Sequence, residues 1–235
     1  MRRSPPPRRG WRSQWGQVDG TVTREQALAN AAEIVAATDL PVSADLENLY
    51  ADAPDAAAAT LALAAATGLV GCSIEDATGD KADPIYPFDL AVARVAAAAA
   101  AARAMSVPFT LTARAENFLH GRADFADTLR RLQAYAAAGA DVLYAPGLTG
   151  MDQIAAVVAI GKPVNVLVSN GNAHLTVADL SAAGVARISV GGALARAALG
   201  GLITAAEEIR EQGTFTYGRT TPGHAEIERR LSGPA

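Results

Sequence analysis

Residues 40–48 read LPVSADLEN, in which apolar residues alternate with others before two acids, Asp45 and Glu47, appear near the end. Alternation with a period of two predicts a β-strand, and side chains two residues apart on a strand point to the same side. The two carboxylates are therefore expected side by side where a buried strand ends. Because two like charges so placed repel each other, the pair needs a physical explanation.

After Gly20 the chain repeats one pattern, a short apolar run followed by a helical segment. Strands are predicted in PVSADL, GLVGCSIED, PFTLTARAE, DVLYAPG, KPVNVLVS and RISVGG. Between them lie helices predicted over 54–67, 88–105, 124–138, 150–160 and 193–212, with one more that Thr23 and Gln26 begin as a capping box and a short one that begins at Thr176. This alternation predicts an α/β fold of right-handed βαβ units with about six parallel strands and about seven helices.

Composition limits the classes of protein that fit. The 235 residues are 50% hydrophobic and 19% charged, as in an ordinary soluble domain, and the net charge of −4 gives no reason to expect nucleic acid or an anionic membrane as partner. The single cysteine, Cys72, excludes an internal disulfide and favours a reducing, cytoplasmic location. No apolar run of about 18 residues lacks a charge, so a membrane span is not expected.

The two ends of the chain differ from the middle. Residues 1–18 are rich in Arg and Pro and hold no acid, which predicts a disordered basic extension; a targeting arm is the alternative. Residues 216–235 are polar and predict a loop with a short terminal helix. The folded domain is therefore expected over 19–215.

Polar residues also appear where the other predicted strands end, which is where α/β proteins place their chemistry. They are Asp45, Glu47, Glu75, Asp76, Arg114 and Glu116 at the ends of the first three strands, and Asn165 in the fifth. Clustered carboxylates repel each other and lose hydration, which a hard cation such as Mg²⁺ offsets. A guanidinium beside them is suited to a bidentate grip on a carboxylate or phosphonate. An ion-pair network at the rim is the alternative interpretation.

Several motifs in order, SADLEN, GCSIED, FTLTARAENFLHGR, GADVLYAPG, KPVNVL and GVARISVGGALARAA, resemble the isocitrate lyase/phosphoenolpyruvate mutase superfamily. The likeness is greatest to its small bacterial phosphonomutase-like members. It implies a (β/α)₈ TIM barrel that binds Mg²⁺ and a small 2-oxo or 2-hydroxy acid or a phosphonate. It also implies an enzyme that makes or breaks a C–C or P–C bond through an enolate-like intermediate.

The resemblance assigns roles to individual residues. The D-x-D metal motif of the family falls on Asp45 and Glu47, with Glu in the second place, and further metal ligands fall on Glu75 and on Asp19. The arginine that binds the substrate carboxylate falls on Arg114. The acid pair in residues 40–48 is thus expected to be half of a Mg²⁺ site that holds the ion partly through waters.

Departures from the family pattern narrow the function. The loop that carries a catalytic Cys in the lyases reads ATGDKADPIYPF here, with Lys81 but no Cys or His, so the usual isocitrate lyase reaction is disfavoured. Arg114, Glu75 and Lys81 remain the candidate catalytic residues, although a solvated surface lysine is the alternative for Lys81. Asn165 is the second candidate for substrate binding. Cys72 lies within a strand and is interpreted as a small core residue.

The family begins with two strands and a helix that have no counterpart before Val18, so six of eight strands are expected, either because the start is misassigned or because the chain is truncated. Open strand edges and Ala-rich helices predict a homo-oligomer or an aggregate. The resemblance also implies that the missing segment carries backbone N–H groups that bind the substrate, so weak or no activity is expected. The leading hypothesis is a Mg²⁺-dependent lyase or mutase. The alternatives are oxaloacetate decarboxylation or hydrolysis at the same site, and a non-catalytic remnant that binds a metabolite or associates with its relatives.

Overall fold

The computed structural model describes residues 21–232. Its strands are β1 Ser43–Ala44, β2 Gly71–Glu75, β3 Thr110–Arg114, β4 Val142–Tyr144, β5 Val164–Leu167 and β6 Arg187–Ser189. Its α-helices are α1 Arg24–Ala36, α2 Pro54–Ala66, α3 Phe88–Arg103, α4 Phe125–Ala138, α5 Met151–Val158, α6 Val177–Ala182, α7 Ala193–Gln212 and α8 His224–Leu231. Short 3₁₀ turns lie at Asn170–Asn172 and Thr216–Arg219.

The six strands form one sheet in which every strand pairs in parallel with the strand before it in the sequence. Helices connect successive strands, which is the arrangement of a (β/α)₈ barrel, and the described residues form a curled half-barrel with six of the eight strands. The predicted fold class is therefore confirmed. The register pairs Glu75 with Arg114 and Arg114 with Tyr144, so the carboxyl ends of β2, β3 and β4 lie side by side.

Local sequence signals explain where several helices begin and end. Thr23 and Gln26 form the predicted capping box before α1, since the backbone N–H of Gln26 donates to Thr23 Oγ1 (3.3 Å) and that of Thr23 to Gln26 Oε1 (2.9 Å). Pro54 occupies the first turn of α2, where its missing N–H costs no hydrogen bond. Helix α4 ends at Gly139, whose φ of 106° is in the left-handed region that favours glycine.

Strand β1 is shorter than the predicted run PVSADL, since only Ser43 and Ala44 pair with β2. Pro41 has no N–H for the ladder, and Asp45 leaves it because its Oδ1 accepts a hydrogen bond from the backbone N–H of Glu47 (3.2 Å). The chain then turns, with Glu47 at a φ of 49°. The two acids therefore lie in a turn after the strand and not within it.

The core fills the space between the sheet and the inner faces of its helices. Leu111, Leu143 and Ile154 are fully buried, and α2 and α3, which pack against each other, bury small residues such as Ala57 and Ala98. Small side chains allow close approach of helices, which explains the Ala-rich sequence of both. Cys72 is 2% exposed within this core, which confirms its interpretation as a packing residue.

The chain divides into two compact units, one ending at Val190 and the other beginning at Gly191. The second unit contains α7, α8 and the turn between them. Glu208 on α7 accepts hydrogen bonds from Thr214 Oγ1 (2.6 Å) and from the backbone N–H of Tyr217 (3.0 Å), which fixes the turn against the helix. Helix α8 confirms the predicted short terminal helix. No helix within residues 21–232 is long and apolar enough to cross a bilayer.

Candidate active site

A cavity of about 1180 Å³ lies at the carboxyl ends of β1, β2 and β3 and is lined by the loops that follow these strands. Its charged lining residues are Asp45, Glu47, Glu75, Asp80, Lys81, Arg114 and Glu116. Five acidic side chains thus line the cavity with one lysine and one arginine, so acids outnumber bases by three. The sequence prediction that the acids of three strand ends meet at one rim is correct for Asp45, Glu47, Glu75 and Glu116.

Arg114 lies at the centre of the acids and contacts three of them with its three nitrogens. Its Nε donates to Glu116 Oε1 (2.8 Å), Nη2 is 3.2 Å from Glu75 Oε2, and Nη1 donates to Asp45 Oδ2. The guanidinium lies over the ring of Tyr144, 5.1 Å from its centroid. Its side chain is only 10% exposed, so the charge is held in place by the acids around it.

The three carboxylates that Arg114 contacts differ in their electrostatics. Burial and the negative charge of Glu116 raise the pKa of Glu75 well above its usual range, against the opposing effect of Arg114. Burial also raises the pKa of Glu116, although Arg114 again opposes it. Surrounding protein atoms would raise the pKa of Asp45 too, but Arg114 and a hydrogen bond from Ser73 outweigh them, so its pKa is lowered.

Asp45 is the most exposed of the three carboxylates that Arg114 contacts. Its side chain is 64% exposed, against 16% for Glu75 and 3% for Glu116. Ser73 Oγ donates to Asp45 Oδ1 (2.9 Å), so one oxygen is held by the serine and the turn, and the other by Arg114. Ser73 was not among the predicted site residues, although its spacing of two from Glu75 on β2 places both side chains on one side of the sheet.

A second network of hydrogen bonds, which is buried, is centred on Asp76 directly after β2. Asp76 accepts hydrogen bonds from the hydroxyl of Tyr135 (2.6 Å), from Arg131 Nη1 (3.1 Å) and from the backbone N–H of Glu116 (2.8 Å). Burial raises the pKa of Asp76 in spite of these partners. Asp76 is 3% exposed and does not line the cavity, so it orients the chain at Glu116 and is not one of the open acids.

The loop after β2 forms one wall of the cavity and carries Lys81. Its base is closed, because the backbone N–H of Thr78 donates to the carbonyl of Pro84 (2.9 Å) and Ala77 bridges to Ile85. Lys81 is exposed in the part of the loop that lines the cavity. Because Lys81 is exposed, its ammonium group stays hydrated while the cavity is empty, and it is available to an anion that enters.

Asn165, the second candidate for substrate binding, lies away from the cavity. Asn165 on β5 is 1% exposed and does not line the cavity, since its Nδ2 donates to Ser189 Oγ (3.0 Å) and its Oδ1 accepts from Arg187 Nε (2.9 Å). Asp19 lies outside the described residues. Within residues 21–232, no three Asp, Glu, His or Cys side chains are arranged so that they could hold one metal ion directly.

Comparison with known proteins identifies the family. The family model described as phosphoenolpyruvate phosphomutase matches residues 11–210. An uncharacterized protein of Mycobacterium tuberculosis is 33% identical over 226 residues, which are 94% of this chain and 81% of that protein. The crystal structure of a candidate lyase/mutase from Burkholderia cenocepacia J2315 is 54% identical, with a TM-score of 0.87 over 94% of this chain and 80% of that one.

A candidate phosphonomutase from the same Burkholderia strain is 36% identical, with a TM-score of 0.73 over 86% of this chain and 80% of that one. At 23% identity, the fold alone is shared with phosphonopyruvate hydrolase, whose crystal structure contains oxalate and Mg²⁺ (TM-score 0.73, covering 91% of this chain and 78% of that one). The names of these neighbours are those of enzymes. The sequence motifs and the half-barrel agree with the family match over residues 11–210. This chain therefore belongs to the phosphoenolpyruvate mutase family of the isocitrate lyase/phosphoenolpyruvate mutase superfamily.

Proposed function

We propose that this chain is a Mg²⁺-dependent enzyme that makes or breaks a C–C or P–C bond in a small 2-oxo acid or phosphonate through an enolate-like intermediate. The observation that carries the proposal is the surplus of three acidic over basic side chains in the lining of the cavity. A carboxylate or phosphonate substrate is itself an anion and is repelled by such a lining. A cavity of this kind accepts that substrate only after a cation has entered it.

The donor set fits Mg²⁺ bound in its usual way. Mg²⁺ retains several waters and is held by one or two carboxylates, so it does not require three protein ligands in direct contact. Asp45, the most exposed of the acids that Arg114 contacts, is the first candidate ligand, with Glu47 and Glu75 beside it in the same lining. Asp19 is a further ligand on the strength of the motif alone. Once bound, Mg²⁺ supplies the positive charge that stabilises a developing enolate.

The residues of the chain position the substrate. Arg114 keeps Asp45 ionised and holds three carboxylates at fixed places. Its contact with Asp45 is the one of the three with an exposed partner, so an incoming carboxylate is able to replace it there and use the same guanidinium edge. Lys81 provides a second cation from the loop after β2. We infer that Arg114 and Lys81 bind the anionic groups of the substrate.

The cysteine chemistry of the lyases is not supported here. Cys72 is the single cysteine of the chain, and burial, together with the negative charge of Asp45, raises the pKa of its thiol to about 12. A buried thiol with this pKa neither reaches the cavity nor gives up its proton near neutral pH. This favours cleavage or transfer at a P–C bond, or hydrolysis of oxaloacetate, over isocitrate-type cleavage.

The metal is tested first, without a substrate. Mg²⁺ at millimolar concentration is expected to raise the melting temperature, and Asp45→Ala is expected to abolish the rise, because a ligand that binds only the folded state stabilises it. Arg122→Ala is the matched control, since Arg122 pairs with Asp83 at 3.2 Å between exposed side chains. A rise that survives both Asp45→Ala and Glu75→Ala would exclude this site.

The reaction is then identified by its products. With phosphonopyruvate, ³¹P NMR separates transfer, which gives phosphoenolpyruvate, from hydrolysis, which gives phosphate and pyruvate. With oxaloacetate, oxalate indicates hydrolysis and pyruvate with CO₂ indicates decarboxylation. Any turnover is expected to stop in EDTA and in Asp45→Ala. Turnover that persists in EDTA would contradict the proposal.

We also propose that the protein forms a homo-oligomer. Helix α7 has no buried residue, and it exposes Leu194 (74%), Leu202 (64%) and Ile203 (55%) on one long amphipathic element. Exposed apolar surface of this extent on a 20-residue helix is typical of a protein–protein contact, and we infer that another copy of the chain covers it. Light scattering is expected to give a mass of at least two chains, and a monodisperse 24.0 kDa species would contradict the proposal.

A further inference from the structure

Arg94 on α3 is a buried cation that does not line the cavity. It is 1% exposed and lies among Ala91, Val95 and Ala98, which are all buried. Its guanidinium stacks over the ring of Tyr86, 4.1 Å from the centroid. A charged side chain in such surroundings loses its hydration, so its contacts must explain why it is there.

The guanidinium donates to backbone carbonyls of the two segments that carry the predicted metal ligands. Nη2 donates to the carbonyls of Asn48 and of Ala51 (2.9 Å), which belong to the loop after β1. Nη1 donates to the carbonyl of Glu75 (3.2 Å) at the end of β2. One side chain therefore ties together the backbone at the ends of two neighbouring strands.

The loop after β1 has a backbone that needs such support. Glu47, Leu49 and Tyr50 have φ values of 49°, 56° and 54°, in the left-handed region that residues other than glycine rarely adopt. Strained backbone persists only where the surroundings hold it in place. Within the loop, the Asn48 side chain accepts a hydrogen bond from the backbone N–H of Tyr50 (3.0 Å). Outside it, Leu49 packs in the core and the Glu47 carbonyl accepts a hydrogen bond from the backbone N–H of Glu75 (3.0 Å).

A chain of side chains extends the support beyond the loop. Asn48 Nδ2 donates to the hydroxyl of Tyr86 (3.0 Å), and that hydroxyl donates to Asp52. Tyr86 also lies beneath the Arg94 guanidinium. Arg94 and Tyr86 thus add side-chain contacts from outside the loop to the backbone hydrogen bond that joins Glu75 to Glu47.

An arginine at position 94 has an energetic cost that an apolar residue would not have. Its Nε is buried and has no hydrogen-bond partner within residues 21–232. An apolar side chain of similar length would avoid this unpaired donor and the loss of hydration, but it would leave the carbonyls of Asn48, Ala51 and Glu75 without the hydrogen bonds that Arg94 donates. What an apolar residue could not do is hold three carbonyls of two different segments in one arrangement.

We propose that Arg94 is a positioning residue of the metal site, which acts through the backbone to aim Asp45, Glu47 and Glu75 at the cavity. This inference rests on the proposed function for the identity of the ion, but the ordering of the loop by Arg94 does not. The side chain does not touch the ion or the substrate. Its role is to make the left-handed turn after β1 and the end of β2 one rigid unit.

The test uses the full chain and two substitutions, Arg94→Met, which keeps an unbranched side chain, and Arg94→Lys, which keeps the charge. Hydrogen exchange followed by mass spectrometry is expected to show at least tenfold faster exchange over residues 46–51 in Arg94→Met, with β3 unchanged. Mn²⁺ binding, measured by electron paramagnetic resonance of the free ion, is expected to weaken at least tenfold. Arg94→Lys is expected to lie between Arg94→Met and the unsubstituted protein in both measurements.

Leu180→Ala is the matched control, because Leu180 on α6 is fully buried and its loss destabilises the core at a distance from the site. It is expected to lower the melting temperature without changing exchange over 46–51 or Mn²⁺ affinity. Exchange in Arg94→Met equal to that in Leu180→Ala would overturn the proposal. Faster exchange with unchanged Mn²⁺ affinity would overturn the positioning role. No Mn²⁺ binding by the unsubstituted protein would refute the proposed function, and the exchange result would then decide on Arg94 alone.

Discussion

Arg114→Ala leaves the carboxylates of Asp45, Glu75 and Glu116 without their shared cation. At an effective dielectric constant of about 20, the contacts of 2.8 Å with Glu116 and 3.2 Å with Glu75 correspond to attractions of about 6 and about 5 kcal/mol. The net loss of stability is smaller than these attractions, because the variant no longer has to remove the Arg114 guanidinium from water. Removal of one partner from a buried ion pair typically costs about 3–5 kcal/mol. For a chain of this length that corresponds to a fall in melting temperature of about 6–20 °C.

The loss is also expected to depend on pH. The pKa values of Glu75 and Glu116 are already raised in the folded protein, and without Arg114 they rise further. A folded state that holds protons which the unfolded state has released gains stability as the pH falls, so the deficit of the variant should shrink between pH 8 and pH 5.5. Arg122→Ala, which breaks an exposed pair, should cost no more than about 1 kcal/mol at either pH.

The assay is thermal unfolding followed by circular dichroism at both pH values, with calorimetry to confirm a two-state transition. The reasoning would be refuted if Arg114→Ala melted within about 3 °C of the unsubstituted protein, since the three contacts would then contribute almost nothing. It would equally fail if the deficit were the same at pH 8 and pH 5.5, because the cost would then not arise from unpaired carboxylates.

Three further predictions concern single groups. Glu75→Gln is expected to raise the melting temperature of the metal-free protein by about 2–4 °C, because a neutral amide removes a repelled charge, and to reduce the rise that Mg²⁺ produces; a lower melting temperature without metal would contradict this. The pKa of Asp127 is lowered because hydrogen bonds from Arg131 and Asn117 outweigh its burial, so it stabilises the folded state above its unfolded pKa of about 3.8 and this contribution is lost as the pH falls through the lower folded value. Urea unfolding should therefore show Asp127→Asn less stable than the unsubstituted protein at pH 7 and equal to it near pH 2. Cys72 should resist iodoacetamide at pH 8 in the folded protein and react after unfolding in urea, as mass spectrometry would show; rapid labelling of the folded protein would contradict its burial.

The order of strands and helices could be predicted from sequence because each element carries a local signal. Thr23 with Gln26 and Pro54 mark the starts of helices, and these signals depend only on hydrogen bonds within one turn. The length of β1 could not be predicted in the same way. The alternation of apolar and polar residues continues through Asp45 and Leu46, whereas the β-ladder stops at Ala44. The chain turns there, and the Asp45 carboxylate accepts a hydrogen bond from the backbone N–H of Glu47.

The site, too, was predictable from the sequence only in part. The acids at the strand ends were predictable, since parallel strands bring their carboxyl ends to one edge. Asn165 was assigned to the same edge, but its amide is engaged by Ser189 and by Arg187, its register partner on β6. The sequence shows that position 165 carries an amide, but it does not show which groups that amide bonds to. Those groups, on Ser189 and Arg187, belong to β6, which comes later in the chain.

Arg94, like Ser73, was not among the predicted site residues, although the sequence carries a signal for its burial. It lies in the stripe formed by Ala91, Val95, Ala98 and Ala102, the buried face of α3. An arginine on the core face of an otherwise apolar helix is rarely buried without partners. The sequence could have indicated that Arg94 is buried, but not that its partners are carbonyls 43 and 46 residues away.

Arg114 and Arg94 contribute to one site in physically different ways, and pH distinguishes the two contributions. Arg114 opposes carboxylates, which titrate, so the cost of its removal falls as protons replace its charge. Arg94 donates to carbonyl oxygens, which do not titrate in this range, so the cost of Arg94→Met should be nearly the same at pH 8 and pH 5.5. If the deficit of Arg94→Met instead shrank in parallel with that of Arg114→Ala, Arg94 would be acting as a further counter-charge to the acids. The backbone of the loop after β1 would then need another source for its left-handed turn.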